Sequence, residues 1–272
     1  MDPILYVKTD IRKAYNDESF FGKIRDRFKI REIRESVIKD LNLSIAHIKI
    51  PPNLNLQAYR NNMETVKRFM KKRNPCLAPK TYRYYDYKLL NDFQKKLFAY
   101  GIVESIKLIL RIKNKSIKSS CILVYDGADD INREVIFQLS KECKYFILLS
   151  HNVSKISELR DYVVANYGIS PIVTSDYNYA LSKADFIISS RELQAENLVW
   201  YIDNSFMPKE NSSLAINDIS FSVPWDSEEL EFGFELLGAI LNQMQERDID
   251  TALKYNGIYL DKIKFNDEVK QF

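Results

Sequence analysis

From Cys121 to Ile202 the chain alternates short apolar runs with stretches of helical spacing, and no other feature restricts its fold as much. The pattern predicts strands at 121–125, 145–149, 171–174, 185–189 and 198–202, with helices at 131–140 and 154–167 between the earlier ones, the second capped by Ser154. Strand and helix in turn over such short connections imply a parallel sheet with right-handed crossovers. The expected fold class is therefore α/β, with a Rossmann-like doubly wound parallel sheet. A smaller, mostly helical N-terminal region is expected to precede it.

That region reads as a short strand at Leu5–Val7, then a helix whose apolar positions are Ile24, Phe28, Ile33, Val37, Ile38 and Leu41. IAHIKI follows as a strand stopped by Pro51-Pro52, with His47 as a packed residue rather than a ligand. Leu56, Tyr59, Met63, Val66 and Met70 mark one face of a helix ending in Lys67, Arg68, Lys71, Lys72 and Arg73, where cations suit the helix dipole. The aromatic, proline-broken NPCLAPKTYRYYDY and a long helix around Leu89–Leu110 lead to the basic hinge KNKSIKSS. The expected domains are 1–115, basic and mostly helical, and 116–272, Rossmann-like with a C-terminal bracing helix at 231–246.

Charge is divided along the chain. Residues 1–120 hold 27 Lys and Arg against 12 Asp and Glu, and residues 121–272 hold 13 against 25. Such a basic half suits a polyanion, with nucleic acid as one partner, or the two halves attract each other. Three cysteines without CxxC spacing and an N-terminus lacking an apolar signal segment point to a cytoplasmic protein. No run of 18 apolar residues occurs, so no membrane partner is expected. With two histidines and no GxSxG, GxxxxGK[ST] or HExxH, metal and serine-triad catalysis lack support.

The turn after the 121–125 strand decides how a ligand is held. A dinucleotide fold places three glycines there, for the turn, for the pyrophosphate and for close helix packing. At those three positions this chain has Gly127, Asp129 and Asn132, with Ala128 in the same loop and Asp126 and Asp130 beside them. Only the first glycine remains, and the carboxylates oppose a phosphate. At the end of the next strand His151, Asn152 and Lys155 include no acid to hold a ribose 2′-hydroxyl, which favours NADP over NAD. Ser189, Ser190 and Arg191 close a later strand, where parallel sheets bind ligands, and Asp203 and Asn204 end another. Lys80 and Asp86, among tyrosines, are the candidates for proton transfer.

These segments resemble the NADP-binding half of the amino-acid-dehydrogenase-like superfamily, which includes shikimate dehydrogenase and methylenetetrahydrofolate dehydrogenase/cyclohydrolase. The similarity covers about residues 95–210 and is carried by AYGIVESIKLILRIKNKSIKSSCILVYDG, LLSHNVSK, ALSKADFIISS and YIDNSFMP. It implies an oxidoreductase-like protein binding a nucleotide or other small molecule in the cleft at the C-terminal edge of the sheet. A homodimer is one expected assembly. GADDIN departs from the family's glycine loop, and Tyr100 stands where shikimate dehydrogenases carry an aspartate. Two other readings remain open: a non-catalytic Rossmann relative acting as a binding or regulatory module, and a nucleic-acid-binding protein using the basic half.

Overall fold

A computed structural model describes residues 1–69, 75–193, 196–206, 215–227 and 230–272. In chain order its first elements are β1 (Ile4–Lys8), α1 (Phe20–Lys29), β2 (Arg31–Ile38), β3 (Leu43–Lys49), α2 (Leu56–Val66), β4 (Cys76–Lys80), α3 (Arg83–Asp86) and α4 (Asp92–Ile112). Then come β5 (Cys121–Tyr125), α5 (Arg133–Glu142), β6 (Tyr145–Leu149), α6 (Val153–Tyr167), β7 (Ile172–Thr174), α7 (Tyr177–Lys183), β8 (Phe186–Ser189) and β9 (Val199–Tyr201). The last are β10 (Ala215–Ile216), β11 (Asp218–Ser222), α8 (Phe234–Leu241), α9 (Ile249–Tyr255), β12 (Tyr259–Phe265) and β13 (Glu268–Val269). The chain divides into two compact units, one of Met1–Lys95 with Phe221–Tyr259 and one of Lys96–Ser220 with Leu260–Phe272. The sequence pattern predicts a single boundary after residue 115.

In the second unit the described residues form a six-stranded sheet in the order β10-β9-β8-β5-β6-β7, with every neighbouring pair parallel. Counting β5 as the first strand, this is the doubly wound Rossmann order 3-2-1-4-5-6. Its strands are apolar on both faces because both are covered. Leu123, Ile147, Ile187 and Val199 pack with Ala180 of α7 on one side. Trp200 meets Phe98 of α4 edge to face, and its indole N–H donates to Ser105 Oγ at 3.1 Å. The chain leaves β5 in one direction and returns to its other side at β8, so the switch point lies between their C-terminal ends.

The first unit holds a smaller sheet, β2-β3-β1-β4, in which β1 runs parallel to β3 and β4, and β2 pairs antiparallel with β3. Half of the expected 24–41 helix is thus strand. Ile24, Phe28, Ile33 and Val37, expected to face a core, are all exposed. Their spacing imitates a helical stripe, but pairing with β3 fixes 31–38 as an edge strand. Leu5, Val7, Ile48, Tyr59, Met63, Val66 and Tyr82 form the core beneath α2. All eight residues of α8 are buried, and the helix packs on β4 and β1. It is shorter than the expected 231–246 helix.

Candidate functional site

β5 ends in Tyr125, and the chain then turns through Asp126 in the left-handed region, at φ +56°. Gly127 follows, where a side chain would meet Ile156 Cδ1 at 3.2 Å and Leu148 Cδ2 at 3.4 Å. Close packing of α6 and β6 on the turn therefore explains this glycine. Its N–H donates to Leu149 O, that of Asp129 to Asp126 O and that of Asn132 to Asp129 O. Three amides of the loop are consequently held by backbone carbonyls. Ala128 is buried at the turn.

Asn132, fully buried, ties the loop to β8. Its Nδ2 donates to Asp126 O at 2.9 Å and lies 3.3 Å from Ser190 Oγ, while its Oδ1 has no hydrogen-bond partner. Asp126 receives Ser150 Oγ from the end of β6 at 3.2 Å and Arg191 Nε from the end of β8 at 2.5 Å. Buried Ser189 donates to Arg191 O and accepts from Arg191 N, which fixes the backbone from which the guanidinium projects. Burial, and then the neighbouring Asp126 charge, push the Asp129 carboxyl above its ordinary value, against the pull of Ser190 and Arg191. The Asp126 carboxylate holds the Arg191 guanidinium above its ordinary value.

The structure gathers Gly127, Asn132, Ser189, Ser190 and Arg191 around Asp126. Lys155 stands further out, with Nζ 2.8 Å from Asp130 and both side chains solvated. Asn152, not Ser154, caps α6, since its side chain accepts from Lys155 N. That role occupies the Asn152 oxygen. His151 is exposed beside it. As for the fit of a dinucleotide, the end of β6 has no acid of its own and carries Lys155, whereas the loop presents carboxylates and bonded amides to a pyrophosphate. The cations Arg191 and Lys155 are paired with Asp126 and Asp130.

In the first unit, Lys80 and Asp86 are placed differently from one another. Asp86 is buried, accepting from Tyr59 Oη, from Thr81 N at 2.8 Å and from Thr81 Oγ1 at 2.7 Å. Burial raises its carboxyl to about 6, with those donors and Arg83 restraining the rise. These bonds give Asp86 a structural task, tying the turn after β4 to α2. Lys80 closes β4 in a row set by strand register: Lys8 pairs with Lys49 of β3 and with Lys80 of β4. Partial burial, and then Lys80, push the Lys8 ammonium down, while Glu231 and Glu235 raise it. A Cβ on Gly233 would lie 2.6 Å from Glu235 Oε2 and 3.9 Å from Lys80 Nζ, so Glu235 and Lys80 flank the same glycine. The signal was in the sequence, because ILYVK, LSIAHIK and CLAPK each end in lysine.

Tyr82 and Tyr85 pack with Tyr59 and with each other, with ring centroids 5.3–6.4 Å apart. Lys71, Lys72 and Arg73 lie outside the described residues. Among the described residues no cluster of metal-binding side chains occurs, and Cys76, Cys121 and Cys143 are free.

No family model and no curated protein matches the chain. Solved structures similar to it include shikimate 5-dehydrogenase from Listeria monocytogenes in complex with shikimate and NAD, at 10% identity, covering 93% of this chain and 96% of that one with a TM-score of 0.39. L-tryptophan dehydrogenase from Nostoc punctiforme is 12% identical over 93% of this chain and 78% of that one, with a TM-score of 0.40. Quinate dehydrogenase from Corynebacterium glutamicum in complex with NAD is 10% identical over 70% and 71%, with a TM-score of 0.36. At such values the fold assignment rests on the chain's own strand order.

Proposed function

We propose that this protein is a nucleotide-binding, oxidoreductase-like Rossmann protein whose ligand lies at the C-terminal edge of the parallel sheet. The observation that carries this reading is the switch point between β5 and β8, where buried Asn132, Ser189 and Ser190 converge with Arg191. Open α/β sheets bind ligands outside the carboxyl ends of their strands at such a point. Gly127 and Ala128 line the turn. Lys155, with His151 and Asn152 near it, is the counter-ion for a 2′-phosphate, which makes NADP the favoured dinucleotide. Entry of a phosphate exchanges the Arg191–Asp126 and Lys155–Asp130 pairs for pairs with the ligand. On the first unit, Lys80 is the proton donor for a small anionic substrate drawn by Lys8 and Lys49.

The test is thermal unfolding with NADP, NAD and adenosine nucleotides. A ligand bound only by the native state raises Tm, by RT ln(1 + [L]/Kd) in free energy. NADP is expected to raise it most, and the absence of any shift at millimolar nucleotide overturns the reading. Because Asp129 has a raised pKa, lowering the pH neutralises it and NADP binding tightens; Asp129→Asn is expected to tighten it roughly tenfold at neutral pH and to remove that pH dependence. A second reading, a non-catalytic binding module, draws on the three loop amides held by backbone carbonyls. It predicts that adenosine stabilises the protein at least as well as NADP.

A further inference from the structure

α1 is turned inside out. At 3.6 residues per turn, Phe20, Phe21, Ile24 and Phe28 fall within about 100° of arc, which is the apolar stripe a helix ordinarily buries. Here the stripe faces solvent, with Phe20 70%, Phe21 81%, Phe28 84% and Ile24 41% exposed. The buried residues of the helix are Gly22 and Asp26. Asp26 accepts from Asn53 Nδ2 at 2.8 Å and from Tyr15 Oη. Gly22 sits so close to Asp17 that a Cβ would come within 2.4 Å of its carboxylate. Ser19 caps the helix by accepting from Gly22 N at 3.0 Å. The orientation is thus fixed by specific polar bonds and a glycine contact on the inner face, and the aromatic face is left outward.

The helix is also basic. Arg25 pairs with Asp17 and Asp26, which leaves Lys23, Arg27 and Lys29 flanking the aromatic face, with no acid of the helix outside the buried Asp26. We infer that α1 lies on an anionic lipid surface, with Phe20, Phe21 and Phe28 set among the acyl chains and Lys23, Arg27 and Lys29 against the headgroups. Charge decides between occupants. A two-fold pairing of α1 with its own copy brings like charges together, whereas an anionic bilayer complements them. Shape agrees: the rings protrude, and a fluid interface receives protruding rings where a protein partner needs matching pockets. The sequence pattern predicts no membrane partner, and no helix among the described residues is long and apolar enough to cross a membrane. A helix lying in the interface needs no such length.

The test is co-sedimentation of the full chain with phosphatidylcholine vesicles and with vesicles containing about 30% phosphatidylserine. Binding to the anionic vesicles alone, weakened by salt, is expected. Phe20→Ser/Phe21→Ser/Phe28→Ser and, separately, Lys23→Gln/Arg27→Gln/Lys29→Gln are each expected to lower it more than about tenfold. Urea unfolding of both variants checks that the fold survives, which exposed positions allow. Absence of binding by the parent protein, binding unchanged in both variants, or a dimer in sedimentation equilibrium that the Phe variant abolishes would each overturn the proposal.

Discussion

At the scale of single residues, two buried groups of the first unit titrate against each other. Asp86 has its carboxyl raised to about 6 by burial, so between the ordinary carboxylate range and pH 6 the folded state holds more protons than the unfolded one. Its contribution therefore favours folding increasingly as pH falls through 6. His47, beside Arg34 and Lys8, is pushed down to about 4, burial again being the largest cause. The folded state then holds fewer protons below pH 6.5, and stability is lost as pH falls towards 4. Each effect is on the order of 2 kcal/mol and they oppose. Urea unfolding between pH 4 and 7 is expected to show Asp86→Asn losing stability on acidification and His47→Gln gaining it, with the parent protein between them.

Single elements show which local signals were readable and which were not. The strands β5, β6, β8 and β9 lie within two residues of their expected bounds because each is an uninterrupted apolar run, buried on both faces. β2 departs from the expected helix and leaves no strand signature in the sequence, because it has no buried face to impose a two-residue period. Its assignment depends on β3, and a register shift between Glu32 and Arg34 further blurs the alternation. α4 opens on a reciprocal cap, Asn91 N to Gln94 Oε1 and Gln94 N to Asn91 Oδ1, both at 2.8 Å. Gln94 also donates to Leu77 O and Glu235 O. Asn91→Ala is expected to cost about 1 kcal/mol in urea unfolding, as for other lost caps. Gln94→Ala should cost about 2 kcal/mol or more, since it also leaves buried carbonyls unsatisfied.

For the whole molecule, the first unit is discontinuous in sequence. α8 is buried on β4 and β1, so a chain ending at Ser220 lacks the cover of that sheet. Such a truncation is expected to lose the first unit's protected amides in hydrogen exchange while those of β5, β6 and β8 persist. A boundary after residue 115 predicts the opposite, that residues 1–115 keep their protection alone. The sequence by itself determined the parallel sheet and the carboxylates that crowd the turn after β5, because apolar runs, turns and charge are local properties. Tertiary structure decided that Asp126 holds Arg191, that Asp86 is enclosed while Lys80 joins Lys8 and Lys49 in a row, and that α1 turns its phenylalanines outward. Those outcomes depend on which distant segments pair in register, and spacing along one segment carries no record of its neighbour.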